Sequence, residues 1–124
     1  MKQNIRYIAV HSTKTLGSEL YQSVIYNYII HRNGNVAKEK KLIASDGCIQ
    51  IAYVGGIDKQ RNICDTKTYE QSESLFNTLV MLSEKYPEAR IVSADEIFGK
   101  ENSPGFNIKE WLKNFTPISI NRAA

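Results

Sequence analysis

One amphipathic segment in the second half of the chain limits the possible folds most strongly. Thr68 and Gln71 have the spacing of a capping box, in which the threonine oxygen accepts a first-turn amide and the glutamine reaches back. The apolar residues that follow recur at helical spacing on one face: Leu75, Leu79, Leu82 and Tyr86. Pro87 then ends the pattern. The segment predicts a long helix that starts near Thr68 and packs one face against a core.

Short runs of β-branched and aromatic residues surround this helix and predict five strands. The runs cover residues 5–10, 24–30, a segment beginning near 36, 49–54 and 90–94. Asn33-Gly34 lies between the second and third runs and is typical of a tight hairpin turn. A short last helix is predicted over 107–113. This order predicts an α/β fold with a mixed central sheet, flanked by one long helix and one or two short ones.

Size and composition exclude several classes of protein. The 124 residues suit one domain, 1–124, with a core of about 5–113. A content of 42% hydrophobic and 23% charged residues excludes a disordered or collagen-like chain. The net charge of +3 is too small and too dispersed for a nucleic-acid binder. No apolar run is long enough for a membrane span, and the absence of a signal-peptide pattern predicts a cytoplasmic location.

The side chains that could support chemistry are few. His11 lies at the end of the first predicted strand, a position that often faces the ligand crevice of α/β sheets, although a lone histidine is more often structural. His31 flanks the hairpin turn and is expected to be exposed. Three acids, Asp95, Glu96 and Glu101, follow the last predicted strand. They are ordinarily solvated loop acids, and alternatively an oxygen-rich site for a hard cation or for acid–base chemistry.

The two cysteines carry little functional signal. Cys48 and Cys64 form no CxxC pair and have no neighbouring histidines, which favours free buried thiols in a reducing compartment. A disulfide between them is the alternative. The chain also lacks HExxH, GxSxG and glycine-rich phosphate-binding motifs. Composition and spacing by themselves therefore predict a soluble α/β domain without an assigned function.

Six segments in one order carry a family resemblance. They are Ile-Ala-Val-His-Ser from residue 8, the strand and hairpin over 24–36, Val-Gly-Gly-Ile-Asp within 49–58, Asp-Thr-Lys-Thr from 65, the strand over 86–92, and Ser-Pro-Gly-Phe-Asn through Trp-Leu over 103–112. Together they resemble the zinc-dependent N-acetylmuramoyl-L-alanine amidases, the family of phage amidase-type lysozymes and peptidoglycan recognition proteins. The resemblance runs from about residue 5 to 112. It implies an amidase-like fold and a peptidoglycan substrate.

The resemblance also implies site residues, and several of them are substituted. The family holds zinc with two histidines and usually a cysteine, and a tyrosine and often a lysine assist. His11 matches the first zinc ligand and Tyr26 the assisting tyrosine. Asp95 stands at the second histidine, Ser103 at the cysteine, and Glu101 at the lysine. A neutral hydroxyl is a poor zinc ligand beside a thiolate, so weak or absent zinc binding, and no cofactor, is predicted.

Three interpretations follow from these substitutions. The first is a pseudoenzyme with an amidase-like fold that has lost hydrolysis and binds a peptidoglycan fragment or a protein partner. The alternative is an active peptidoglycan amidase with a rebuilt metal site, in which His11, Asp95 and either Glu96 or Glu101 hold the metal and Tyr26 steadies the tetrahedral intermediate. The third is an unrelated α/β interaction module. Whether the chain is an enzyme, and whether it acts at the cell wall, is left open here.

Overall fold

Four strands precede the long helix, and a fifth strand and two short helices follow it. The computed structural model describes residues 4–17, 25–38 and 47–116. In chain order its elements are β1 (Tyr7–Ser12), β2 (Tyr28–Ile30), β3 (Val36–Lys38), β4 (Cys48–Tyr53), α1 (Tyr69–Lys85), β5 (Arg90–Ser93), α2 (Asp95–Phe98) and α3 (Ile108–Asn114). A 3-10 turn, Lys100–Asn102, connects α2 to α3.

The five strands of the described chain form one mixed sheet in the order β3-β2-β4-β1-β5. β1 pairs in parallel with β4 on one side and with β5 on the other. β2 runs parallel to β4, and β3 joins the edge antiparallel to β2 through the Asn33-Gly34 turn. The predicted α/β fold with a mixed central sheet is therefore confirmed.

The start of α1 matches the predicted capping box. The Thr68 hydroxyl oxygen accepts the Gln71 amide at 3.0 Å, and the Gln71 side-chain oxygen accepts the Thr68 amide at 3.0 Å. The side-chain nitrogen of Gln71, Nε2, also donates to the carbonyls of Ile30 and Val54, each at 3.0 Å. This fully buried side chain therefore caps the helix and joins it to the ends of β2 and β4.

Alternation along β1 divides the sheet into two faces. Ile8 and Val10 belong to the main core, which includes the buried face of α1: Leu75, Leu79 and Leu82. Ala9 belongs to a separate apolar cluster. Because successive strand residues point to opposite faces, His11 lies on the face opposite α1. The apolar pattern of one strand thereby sets the side of the sheet on which the candidate site lies.

Two strand boundaries differ from the sequence prediction. β1 ends at Ser12, so His11 lies inside the strand, not after it. The second strand was predicted over 24–30, but within the described residues it begins only at Tyr28. The Asn27 side-chain oxygen accepts the Gln50 amide at 2.8 Å, and the Asn27 amide donates to the Gln50 carbonyl at 2.9 Å. The Asn27 side chain thus takes the place of a backbone group in pairing with β4, and regular strand pairing starts one residue later, at Tyr28.

The three acids after β5 and His31 are placed differently from the sequence prediction. Asp95 and Glu96 belong to α2 and Glu101 to the 3-10 turn, so these acids are not in an irregular loop. The reason is local, because the chain turns into helix at once after β5 and the Ala94 carbonyl accepts the Phe98 amide at 2.8 Å. His31 is half-buried, not exposed.

In the described chain Cys48 and Cys64 are not joined by a disulfide, as the sequence favoured. Cys48 is buried, but Cys64 is only half-buried, so its predicted burial was wrong. Residue 24, the first of the predicted second strand, lies outside the described residues. Among the described helices, none has the length and apolar content needed to cross a bilayer.

Candidate functional site

His11 is enclosed by aromatic rings near the end of β1. It pairs with Ala52 of β4, and only 4% of its surface is exposed. The Tyr26 ring lies 5.0 Å away between centroids, at an angle of 60°. The Phe98 ring of α2 lies 5.6 Å away and nearly parallel, at 28°. The imidazole is thus held between a strand-flanking tyrosine and a helical phenylalanine.

The imidazole of His11 is electrostatically unusual. Neither ring nitrogen is reached by solvent or has a hydrogen-bond partner among the described residues. Burial lowers the pKa of His11 to about 4, and the charge of Lys14 lowers it further. The neighbouring Gln50 side chain opposes this pKa shift, although it does not meet hydrogen-bond geometry at either nitrogen. At neutral pH the ring is therefore neutral, a state in which a nitrogen lone pair is free to accept a proton, a hydrogen bond or a metal.

Tyr26 is the residue that the family resemblance matched to an assisting tyrosine, and its ring lies beside that of His11. Its side chain is 9% exposed, and its hydroxyl donates to the Ser12 carbonyl at 3.5 Å. The hydroxyl is therefore directed at the end of β1, where His11 also lies. Its role as an assisting group stays a prediction.

Asp95 and Ser103 share one cleft. They line a cleft of about 490 Å³ at the end of β5, which we call the site cleft. Its other lining residues are Ser93, Glu96, Gly105, Phe106, Asn107, Ile108 and Lys109. Neither His11 nor Glu101 is among them. The structure thus brings two of the candidate residues into one cleft and places His11 outside its lining.

Local hydrogen bonds order the walls of the site cleft. The Glu96 carboxylate accepts the Ser93 amide at 2.7 Å, which connects α2 to the end of β5. The Ser103 hydroxyl accepts the Gly105 amide at 3.1 Å and so stabilises the turn before α3. Glu101 is exposed, and its carboxylate lies against Gly99. The Glu101 carboxylate therefore folds back on the residue that joins α2 to the 3-10 turn.

The side chains at the implied ligand positions do not fit a catalytic zinc site as they are placed here. Zinc favours nitrogen and thiolate ligands, and a catalytic site keeps one position open to water. Ser103 offers a neutral hydroxyl, and both nitrogens of His11 are closed to solvent. In the part of the chain that the structure describes, no three His, Cys, Asp or Glu side chains are grouped to hold a metal ion.

Phe98 is a site residue that the sequence reasoning missed. It is the residue of α2 that stacks on His11, yet 42% of its own surface is exposed. Its neighbour Ile97 is 41% exposed. The sequence does hold a signal for Phe98. Ile97 and Phe98 form an apolar pair directly after Asp95 and Glu96, in a stretch that is otherwise polar, and large exposed apolar side chains are uncommon in such short connections.

The comparisons with known proteins support the fold. No family model matches this chain, and no curated protein matches it. Among solved structures, the chain is similar to the Ph2119 endolysin from Thermus scotoductus MAT2119 bacteriophage Ph2119, with a TM-score of 0.71 and 17% sequence identity. The match covers 91% of this chain and 86% of the endolysin chain. The α/β fold described here is therefore shared, over nearly its whole length, with that of a phage endolysin.

Proposed function

We propose that this chain binds a peptidoglycan fragment through an amidase-like fold and does not carry out zinc-dependent hydrolysis. The observation that carries the proposal is the separation of the candidate residues. His11 is closed off under Tyr26 and Phe98, whereas Asp95 and Ser103 line a cleft that does not include it. The shared fold with a phage endolysin supports the choice of peptidoglycan as the ligand.

The chemistry of the site cleft suits the peptide part of a muropeptide. The carboxylates of Asp95 and Glu96 lie in the same lining as the ammonium group of Lys109 and the hydroxyls of Ser93 and Ser103. A peptide stem carries amides, amino groups and carboxylates, so it presents partners for both charges and for the hydroxyls. A few placed polar groups of this kind fix the orientation of a ligand in a pocket.

Loss of hydrolysis is supported by the donor set and by access. A zinc hydrolase polarises the scissile carbonyl and activates water at an open metal position. Asp95 and Ser103 replace a histidine and a thiolate at the implied ligand positions, and Glu101 places a negative charge where the resemblance implies a lysine. These replacements weaken zinc affinity and reverse a charge that would assist the developing oxyanion.

Metal content and muropeptide binding test the proposal together. The protein is incubated with zinc and dialysed, and the bound metal is counted by elemental mass spectrometry, with His11→Ala as the control. Binding of a disaccharide-tetrapeptide is measured by calorimetry, and any cleavage is followed by mass spectrometry. We expect no retained zinc, no cleavage, and saturable binding that Asp95→Ala weakens severalfold.

A matched variant separates a cleft effect from a general charge effect. Glu88→Ala removes an exposed carboxylate outside the site cleft and should leave binding unchanged. Near-stoichiometric zinc that disappears in His11→Ala, together with cleavage, would instead establish the alternative, an active amidase with a rebuilt metal site. Absence of muropeptide binding would refute the proposal and leave a protein partner as the ligand to seek.

A further inference from the structure

The imidazole of His11 is buried in a state that costs free energy. Both ring nitrogens are closed to solvent, and neither meets hydrogen-bond geometry with a described residue. A buried polar atom without a hydrogen bond loses the interaction that water supplies in the unfolded chain. A movement that gives the nitrogens a partner would remove this cost. The residues that cover the ring decide whether the molecule has such a movement.

Tyr26 and Phe98 cover His11, and they are held in different ways. Tyr26 is buried in an apolar cluster with Ile29 of β2 and Ala52 of β4. Phe98 stacks on the imidazole, but much of its own surface is exposed. Tyr26 is therefore part of the packed sheet, whereas Phe98 is a partly solvated cover.

The helix that carries Phe98 is short and lies at the surface. α2 is four residues long, and none of the four is buried. A side-chain hydrogen bond fixes its first turn, since the Glu96 carboxylate accepts the Ser93 amide at 2.7 Å. The next residue is Gly99, whose φ of +107° is a conformation that glycine adopts readily. A short helix without buried side chains is typical of a segment with low local stability.

We propose that α2 is a lid over His11, with a closed state in which Phe98 covers the imidazole and an open state in which solvent or a ligand reaches it. Opening moves α2 and leaves the sheet intact, because Tyr26 and the strand that carries His11 belong to the packed core. On opening, Phe98 loses its ring contact and the His11 nitrogens gain hydrogen-bond partners. The loss and the gain oppose each other, which limits the free-energy difference between the two states.

The same helix lines the site cleft, and this part of the inference rests on the proposed function. Asp95 and Glu96 belong to the cleft lining, whereas Phe98 lies on His11. An amino group of a peptide in the cleft would compete with the Ser93 amide for the Glu96 carboxylate. Loss of that hydrogen bond releases the first turn of α2. Because linkage is reciprocal, a variant in which the lid is already open should bind the peptide more tightly.

Acylation by diethyl pyrocarbonate measures the opening directly. At neutral pH the reagent modifies an imidazole that solvent reaches, and peptide mass spectrometry locates the modified residue. The chain has two histidines, and trypsin places them in different peptides because Lys14 lies between His11 and His31. The half-buried His31 follows β2, so its rate is the internal reference.

Three variants locate the effect in the lid. Phe98→Ala should raise the acylation rate of His11 about tenfold, because one aromatic contact is lost, and should leave that of His31 unchanged. Glu96→Ala removes the bond to Ser93 and should raise the rate severalfold, which keeps the test valid if Phe98→Ala does not fold. Ile97→Ala changes the neighbouring exposed apolar residue and is the matched control, with an unchanged rate expected. Circular dichroism verifies the fold of each variant.

An unchanged rate at His11 in both Phe98→Ala and Glu96→Ala would overturn the lid. An equal increase in Ile97→Ala would overturn the role of the Phe98 ring.

Leu79→Ala separates opening of the lid from unfolding of the whole chain. Leu79 lies in the main core on α1, so its truncation destabilises the entire fold. Opening of α2 alone does not depend on that stability, and the acylation rate of His11 should equal that of the unmodified sequence. A rate that rises in proportion to the loss of stability would mean that only global unfolding exposes His11, and the lid would be wrong.

Calorimetry with the disaccharide-tetrapeptide tests the coupling separately from the lid. We expect Phe98→Ala to bind this ligand severalfold more tightly than the unmodified sequence, because the cost of opening has been removed. Unchanged affinity together with faster acylation of His11 would refute the coupling and leave the lid standing. If no variant binds the ligand, the proposed function fails, and the acylation rates by themselves decide the lid.

Discussion

Gly105 provides a sharp test of how the walls of the site cleft are held. Its φ of +91° lies in the left-handed region, and a Cβ placed there would be 2.5 Å from the backbone carbon and oxygen of Cys64. It would also be 2.9 Å from the Asp65 amide nitrogen. The turn before α3 is therefore pressed directly onto the backbone of the 64–65 segment, with no side chain between them.

The expected cost of Gly105→Ala is the sum of two effects. The left-handed conformation costs an alanine about 1–2 kcal/mol. Forcing extra volume against a backbone that cannot rotate away costs a further 1–3 kcal/mol, roughly. The free energy of unfolding should therefore fall by about 2–5 kcal/mol. Because Gly105 also lines the site cleft, muropeptide binding should weaken in the fraction of protein that remains folded.

Gly47→Ala is the matched control. Gly47 has a φ of +63°, but a Cβ there would meet its nearest atom, the Asn4 carbonyl oxygen, only at 3.3 Å. The free energy of unfolding of this variant should fall by about 1–2 kcal/mol, mainly because of the left-handed conformation. Urea unfolding of both variants, followed by circular dichroism, gives the difference between them. Equal losses of stability would mean that the turn before α3 is not packed on residues 64 and 65, and the account of the cleft wall would be wrong.

Two further predictions concern the core and the buried histidine. Leu79→Ala should lower the free energy of unfolding by about 2–5 kcal/mol, because Leu79 is 1% exposed in the main core; a neutral result in urea unfolding would contradict the packing of α1. Burial lowers the pKa of His11 from 6.5 to about 4, so the unfolded chain binds more protons between these values. The free energy of unfolding of the metal-free protein should therefore keep its full value above pH 6.5 and fall by about 3 kcal/mol as the pH is lowered to 4. His11→Gln should lose this dependence, and an identical pH profile for the two proteins would refute the burial of His11.

The local features of the fold could be predicted because their causes are local. The capping box of Thr68 and Gln71, the leucine face of α1 and the stop at Pro87 all depend on residues within a few positions of one another. The Asn33-Gly34 turn and the start of β3 at Val36 depend on the same kind of information.

Features that involve distant partners were less predictable. The late start of β2 depends on Asn27 bonding to Gln50, a residue 23 positions away that no local pattern indicates. The stacking of Phe98 on His11 joins a residue of α2 to a residue inside β1. The family resemblance named His11, Tyr26, Asp95 and Ser103 as one site, but alignment positions carry no distances. Only the fold could place His11 under aromatic rings and Asp95 with Ser103 in a cleft.

The sequence by itself determined the five strands, the long helix and the last short helix, since hydrophobic period, caps and turns are properties of neighbouring residues. It also determined the donor atoms available to the site, because a serine hydroxyl and two carboxylates are chemical identities that folding does not alter. The tertiary structure decided which of those atoms meet and whether solvent reaches them. The packing of Tyr26 and Phe98 around His11 closed its nitrogens from water, and the packing of the 64–65 backbone against Gly105 shaped a wall of the site cleft. Such contacts join residues far apart in the chain, so they are fixed only when the sheet and its helices pack together.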